Sequence, residues 1–146
     1  MTMPAWMWWN RLAKPRNVEG RTDGSHGNRG DDAVSDVEVR EARIDDVPAA
    51  FDQSVVLLDV REDDEWQRGH AEGALHIPMG DVPARLAEID TDATLYVVCH
   101  AGGRSLRVAQ YLSRNGYEPI NVAGGMLAWA GAGRSVVTDD GSAGTV

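Results

Sequence analysis

The chain has 146 residues, a formal charge of −9 at neutral pH and a single cysteine, a length that suits one domain with short tails. Residues 1–30 carry five Lys/Arg and two Asp/Glu, so the rest of the chain is strongly acidic and would repel phosphate backbones, which excludes nucleic acid as a partner. One cysteine also excludes an internal disulfide and a thiolate metal cluster, and it indicates a reducing compartment, the cytoplasm.

Residues 1–36 are predicted to form a flexible tail. No run approaches the roughly 18 apolar residues that a membrane span requires, and the basic residues follow the apolar start, the reverse of a secretory signal. Trp6, Trp8 and Trp9 with the trailing Arg11 suit a membrane interface or a docking peptide. A short disordered end, or a misassigned gene start, is the favoured alternative.

Strand and helix signals alternate between residues 37 and 137. Apolar runs and alternating patterns predict strands at 37–40, 55–58, 74–77, 94–98 and 119–122. Periodicity and capping residues predict a short helix from Asp45 or Asp46, helices at 62–67, 82–89 and 104–115, and one from Met126. This alternation predicts an α/β fold, a small and mainly parallel sheet of about five strands flanked by helices. Residues 138–146 are predicted to be a flexible C-terminal tail.

Cys99 follows the fourth predicted strand and opens the loop Cys99-His100-Ala101-Gly102-Gly103-Arg104-Ser105. Helix-start amides and a nearby cation favour the thiolate, the nucleophilic form of the side chain. The glycines allow successive N–H groups to face one concavity that holds an anion. Ligands of parallel α/β sheets bind at the carboxyl ends of strands. We therefore interpret Cys99 as a nucleophile, although a lone cysteine is more often a small buried hydrophobe.

Three stretches in this order resemble the rhodanese family of sulfurtransferases. They are Leu58-Asp59-Val60-Arg61 with Glu65-Trp66 and Gly69 to Pro78, then the Cys99 loop, then Gly124-Gly125-Met126-Leu127-Ala128-Trp129. The resemblance covers about residues 37–132 and implies a single rhodanese-like domain.

The resemblance implies an enzyme that moves a sulfane sulfur. Catalytic Cys99 would take the sulfur from thiosulfate or another persulfide source, hold it as a persulfide, and pass it to a thiol, cyanide or protein acceptor. The implied substrate-binding residues are His100, Ala101, Gly102, Gly103, Arg104 and Ser105. No cofactor and no metal are implied, and we expect a monomer.

The length of the loop favours sulfur transfer over phosphoryl or arsenate chemistry. Cysteine phosphatases and some arsenate reductases have five residues between cysteine and arginine, whereas four separate Cys99 from Arg104. A smaller ring leaves less room for a tetrahedral oxyanion, but one extra sulfur fits. Arg104 either adds its charge to the anion site or braces the loop by pairing with an acid, and the sequence leaves both roles open.

Two other functions remain open. A rhodanese-like domain can serve as a non-catalytic binding or regulatory module, although the usual sign is loss of the loop cysteine, which this chain retains. Alternatively, Cys99 is a redox-sensing thiol that forms a sulfenic acid. His100 and Ala101 bring little positive charge to the site, and the chain is acidic, so we expect poor use of dianionic thiosulfate.

The remaining conspicuous residues are assigned to the fold. We expect His70 and His76 to be structural, because no third residue with metal-ligand spacing accompanies them. Asp59 and Arg61 are expected to form a stabilising charge pair. The run Glu62-Asp63-Asp64-Glu65 is interpreted as a solvated helix start, and Gly124, Gly125 and Trp129 as packing residues of the last helix.

Overall fold

Five parallel strands form one sheet in the computed structural model, which describes residues 38–146. The strands are β1 (Arg40–Ala42), β2 (Val55–Asp59), β3 (Leu75–His76), β4 (Thr94–Val98) and β5 (Pro119–Val122). Their order across the sheet is β1-β5-β4-β2-β3, and every strand pair is parallel. The predicted α/β fold with a parallel sheet is confirmed.

The central strands β2 and β4 are buried on both faces of the sheet, as their continuous apolar runs predict. Successive side chains of a strand point to opposite faces. Leu58 and Val97 accordingly belong to one hydrophobic cluster, and Leu57 and Val98 to the other. All four are fully buried. A core on each side of the sheet therefore fixes the positions of the strand ends.

In the described part of the chain, three α-helices flank the sheet: α1 (Asp63–Arg68), α2 (Gly103–Arg114) and α3 (Gly125–Gly131). The helix predicted at 82–89 is instead a 3-10 helix, Pro83–Glu88, with a kink at Arg85. The helix predicted from Asp45 or Asp46 is only a 3-10 turn, Ile44–Asp46. Val47 precedes a proline, which disfavours helical backbone and ends this turn.

The edge strand predicted at 37–40 begins later, because its partner sets its extent. β1 pairs with β5 from Arg40↔Ile120 to Ala42↔Val122. Since β5 begins at Pro119, residues before Arg40 have almost no strand beside them. Residue 37 and the tail 1–36, including Trp6, Trp8 and Trp9, lie outside the described residues.

The C-terminal residues 138–146, predicted to be a flexible tail, make backbone hydrogen bonds to the domain. The Thr145 N–H donates to the Arg68 carbonyl at 2.9 Å, and the Gly144 N–H donates to the Val136 carbonyl at 2.8 Å. A side chain at Gly69 would overlap the backbone of Thr145, so this glycine permits the close approach. The hydropathy pattern carried no sign of these bonds, because they join main-chain atoms.

Within residues 38–146, no helix is long and apolar enough to cross a membrane. The expectations of a monomer and of a cytoplasmic location stay predictions.

Candidate active site

Cys99 lies at the carboxyl edge of the sheet, directly after β4. The parallel register sets Val98 beside Asp59 at the end of β2 and Val97 beside Asn121 in β5. The loop that follows Cys99 leads straight into α2, whose N-cap is Gly102. Only 1% of Cys99 is exposed, which also suits a small buried hydrophobe, so the contacts of its sulfur decide between the two interpretations.

The Cys99 sulfur accepts several hydrogen bonds from its own loop. The Gly102 N–H lies 3.0 Å from Sγ, and the Ser105 hydroxyl lies 3.4 Å from it. Burial raises the pKa of the thiol, but hydrogen bonds from the Ser105 hydroxyl and from the N–H groups of Ser105, Gly102 and Ala101 together outweigh burial and lower it. A merely apolar site would raise the pKa of a cysteine. These donors stabilise a negative charge on the sulfur.

The first turn of α3 orients the peptide groups of the loop. The Met126 and Leu127 N–H groups donate to the carbonyls of Cys99 and His100 at 2.8 and 3.0 Å. A trans peptide points its N–H opposite to its C=O, so the bond to the His100 carbonyl turns the Ala101 N–H toward the sulfur.

Glycine at position 125 makes this contact between α3 and the loop possible. Its φ is +59°, and a Cβ there would lie 2.5 Å from the carbonyl oxygens of both Cys99 and His100. Gly102 also has a positive φ, +116°, a conformation that side chains strongly disfavour. The two glycines therefore shape the cradle of N–H donors around Cys99.

The Arg104 guanidinium is paired with Glu65 of α1. Nη1 and Nη2 lie 2.8 and 2.9 Å from the two carboxylate oxygens, and this pairing is the main cause that lowers the pKa of Glu65 to about 2. The pKa of Arg104 is raised chiefly by Glu65 and to a smaller extent by the charge of Cys99. Arg104 thus braces the loop on α1 while its charge still acts at the sulfur.

A polar chain that the sequence analysis missed extends from the sulfur across β5 to β1. The Ser105 hydroxyl lies 2.6 Å from Asn121 Oδ1, and Asn121 Nδ2 donates to Glu41 at 3.1 Å. Asn121 is 2% exposed. One sign of this chain is visible in the sequence. Asn121 is an amide in the otherwise apolar strand β5, which is buried on both faces.

The remaining loop residues lie at the rim. His100 is half-buried, whereas Ala101 and Gly103 are exposed. Of the predicted substrate-binding residues, the structure therefore brings Ala101, Gly102 and Ser105 onto the sulfur by backbone or hydroxyl groups. The side chain of Arg104 is directed to Glu65 instead.

Asp59 and Arg61 form the expected charge pair, and it is fully buried. Arg61 Nη2 lies 2.7 Å from the Asp59 carboxylate and donates to the Gly69 carbonyl at 2.8 Å. The side chains are 1% and 0% exposed. The pair joins the end of β2 to the chain after α1, which fixes the side of the site that carries Glu65.

The imidazoles of His70 and His76 both stack on the Trp66 indole, with centroid distances of 3.5 and 4.6 Å. Each also makes a ring-nitrogen hydrogen bond to a backbone carbonyl. Among residues 38–146, no group of three His, Cys, Asp or Glu side chains is arranged to hold a metal ion.

The family model of the rhodanese-like domain matches residues 43–132, more than half of the chain. The sheet order, the cysteine loop at the end of β4 and this match agree. The chain therefore belongs to the rhodanese-like domain family.

Individual relatives support the same family. "Putative sulfurtransferase YtwF" of Bacillus subtilis (strain 168) is 42% identical over 80 residues, which cover 55% of this chain and 78% of that protein. A protein named "Sulfurtransferase" from Allochromatium vinosum is 36% identical over 90 residues, 61% of this chain and 84% of the relative. The crystal structure of a rhodanese-related protein from Thermoplasma volcanium is 27% identical, with a TM-score of 0.64 over 68% of this chain and 99% of that chain.

Proposed function

We propose that this chain is a sulfurtransferase that carries a sulfane sulfur on Cys99. The thiolate attacks the terminal sulfur of the donor, the S–S bond of the donor breaks, and its electron pair leaves with sulfite or with a thiolate. Cys99 then holds a persulfide anion. An acceptor nucleophile attacks the outer sulfur, and the Cys99 thiolate is regenerated with no net redox change in the protein. The observation that carries this proposal is the convergence of loop N–H groups and the Ser105 hydroxyl on the Cys99 sulfur.

The electrostatics of the loop suit both states of this cycle. The thiolate and the persulfide are anions, so one set of fixed donors stabilises each without reorganisation. An outer sulfur would lie above the start of α2, where the first N–H groups of a helix have no partner within the helix. Since little proton transfer is needed, a site without a dedicated general base can perform the reaction.

The charges around the loop favour a persulfide donor over thiosulfate. Glu65 offsets part of the charge of Arg104, and His100 and Ala101 add no fixed cation. The chain as a whole is acidic, so a dianion is repelled on approach. A protein-bound persulfide has one negative charge at its reacting end, and a small persulfide such as that of cysteamine has no net charge. Either presents a narrow terminal sulfur to the buried thiol.

The acceptor must be another molecule, because the chain has no second cysteine to resolve the persulfide. A thiol, cyanide or the thiol of a partner protein would serve. We keep the cytoplasm as the proposed compartment, since a lone nucleophilic thiol needs reducing surroundings.

The experiment that tests this function compares two reactions on the same purified protein. We expect release of thiocyanate or sulfide from a sulfane donor to exceed hydrolysis of an aryl phosphate, and cysteamine persulfide, which has no net charge, to give a higher kcat/KM than thiosulfate. The Cys99→Ser variant should lose the sulfur reaction. Faster hydrolysis of the aryl phosphate would overturn the assignment, and a low KM for thiosulfate at physiological salt would overturn the donor preference.

A further inference from the structure

The Ser105 hydroxyl has one proton and three acceptors within reach. Asn121 Oδ1 is nearest at 2.6 Å, the Gly102 carbonyl lies at 3.2 Å, and the Cys99 sulfur lies at 3.4 Å. Ser105, Asn121 and Cys99 are all buried, so water does not replace a bond that the hydroxyl gives up. A hydroxyl donates one hydrogen bond at a time, and the acceptors therefore compete for it.

The orientation of the Asn121 amide follows from its neighbours. Nδ2 lies 3.1 Å from the Glu41 carboxylate and 3.4 Å from the Gly102 carbonyl. Both groups only accept hydrogen bonds, so the NH₂ group must face them and Oδ1 must face Ser105. The Gly102 carbonyl also accepts the Leu106 N–H at 3.2 Å, so it is a weaker acceptor for the Ser105 hydroxyl. Asn121 is therefore the main competitor of the sulfur.

We propose that Asn121 is a positioning residue that competes with the Cys99 sulfur for the hydroxyl proton of Ser105. While the sulfur is a neutral thiol, the hydroxyl donates to Asn121. When the sulfur becomes an anion, it is the stronger acceptor, because hydrogen bonds to ions are about twice as strong as neutral ones. The hydroxyl then rotates about its C–O bond toward the sulfur, and no covalent bond changes.

This competition predicts shifts of opposite sign for two neighbouring residues. Loss of the hydroxyl in Ser105→Ala should raise the pKa of Cys99 by about one unit, the size expected for one hydrogen bond to a charge. Loss of the competing acceptor in Asn121→Val should lower the pKa of Cys99, since the hydroxyl then donates to the sulfur. A residue that merely supports the fold would raise the pKa or leave it unchanged when removed.

The other charged and titratable groups around the sulfur stay in place in these variants. The charged ones are the Arg104–Glu65 pair on α2 and α1, Glu41 on β1 and the Asp59–Arg61 pair after β2, and the loop also carries the titratable His100. Glu41 loses its bond to Asn121 in the Asn121→Val variant, so Glu41→Gln serves as the control for the field of that carboxylate. The glutamine keeps an oxygen that accepts a hydrogen bond from the Asn121 amide. Glu41→Gln should therefore leave the competition between Asn121 and Cys99 for the Ser105 hydroxyl intact.

The test is a double-mutant cycle on the thiol pKa, measured by thiolate ultraviolet absorbance and by the pH dependence of iodoacetamide alkylation. Cys99 is the only cysteine, so both signals report on it alone. Asn121→Val should lower the pKa in the Ser105 protein and have little effect in the Ser105→Ala background. An equal shift in both backgrounds, or an increase with Asn121→Val, would overturn the proposal.

If Asn121→Val does not fold, Asn121→Asp decides the question. Its carboxylate is a stronger acceptor of similar size and should raise the pKa of Cys99, by more when Ser105 is present than when it is alanine. An increase of the same size in both backgrounds would contradict the competition. Any effect of Asn121 on catalysis rests on the proposed sulfur transfer, whereas the titration of the Cys99 thiol does not. The titration and the sulfur-transfer assay can therefore fail independently of each other.

Discussion

Arg104 and Glu65 form a two-point ion pair that ties the start of α2 to α1, with nitrogen–oxygen distances of 2.8 and 2.9 Å. The same carboxylate accepts the Glu62 N–H at 3.0 Å. Paired, planar contacts of this kind fix orientation as well as distance. The pair therefore holds the loop that carries Cys99, and it also sets how much positive charge the site offers to a donor.

The first prediction concerns acid sensitivity. The pKa of Glu65 is lowered from 4.5 to about 2, so its stabilisation is fully present above about pH 4.5 and is lost as the pH falls toward 2. Glu65→Gln should lower the free energy of unfolding by about 1 kcal/mol at pH 7, since a partly exposed pair is screened by solvent. The difference from wild type should shrink at pH 3 in denaturant titrations. A difference that grows in acid would contradict the assignment.

The second prediction concerns the choice of donor. Glu65→Gln leaves the Arg104 charge without its counter-ion, so kcat/KM for thiosulfate should rise severalfold relative to that for cysteamine persulfide, which has no net charge. Glu88→Gln is the matched control, because it removes the same charge from the exposed Arg85–Glu88 pair. A similar change in both variants would assign the effect to net charge alone rather than to Arg104.

The third prediction concerns the contact between α3 and the loop. Gly125→Ala places a methyl group against the carbonyls of Cys99 and His100 and forces a positive φ on alanine, which alone costs about 1–2 kcal/mol. We expect a loss of at least that much stability together with slower alkylation of Cys99. Gly131→Ala, at the end of the same helix with no atom within 4 Å of the new methyl, should change neither quantity appreciably.

The fourth prediction concerns the buried pair at the end of β2. Asp59→Asn leaves the Arg61 guanidinium buried without a counter-charge, and the free energy of unfolding should fall by about 3–5 kcal/mol. Glu88→Gln breaks an exposed pair and should have no measurable effect on the same denaturant curve. If the two variants were equally stable, the buried pair would not have the stabilising role assigned to it.

The sequence predicts the strands of the core well, because burial on both faces imposes unbroken apolar runs, such as residues 55–58 in β2 and 95–98 in β4. It predicts helices less well where backbone geometry decides the outcome. The residue before Pro48 ends one predicted helix as a 3-10 turn, and the segment predicted as a helix at 82–89 is a 3-10 helix with non-helical backbone at Arg85. Local backbone geometry decides these outcomes, and the spacing of hydrophobic residues does not report on it.

The residues of the candidate site also differ in how well the sequence predicts them. Cys99, Gly102 and Ser105 lie within one short segment, so the loop can be recognised from the sequence, whereas Gly125 reaches it from α3. Glu65 and Asn121 reach it through the fold, from α1 and β5, and the choice of one acid among many in an acidic chain needs coordinates. Of these two residues, only Asn121 stands out in the sequence, because it is an amide in an apolar strand.

Intact-mass spectrometry detects directly whether Cys99 carries a sulfur atom. After exposure to a sulfane donor and removal of the excess, the wild-type protein should gain one sulfur, about 32 Da. Addition of cyanide or a thiol should remove it, and Cys99→Ser should gain none. An unchanged mass of the folded wild-type protein would rule out sulfur transfer through Cys99 and favour a binding module, and oxygen adducts without sulfur would favour a redox sensor.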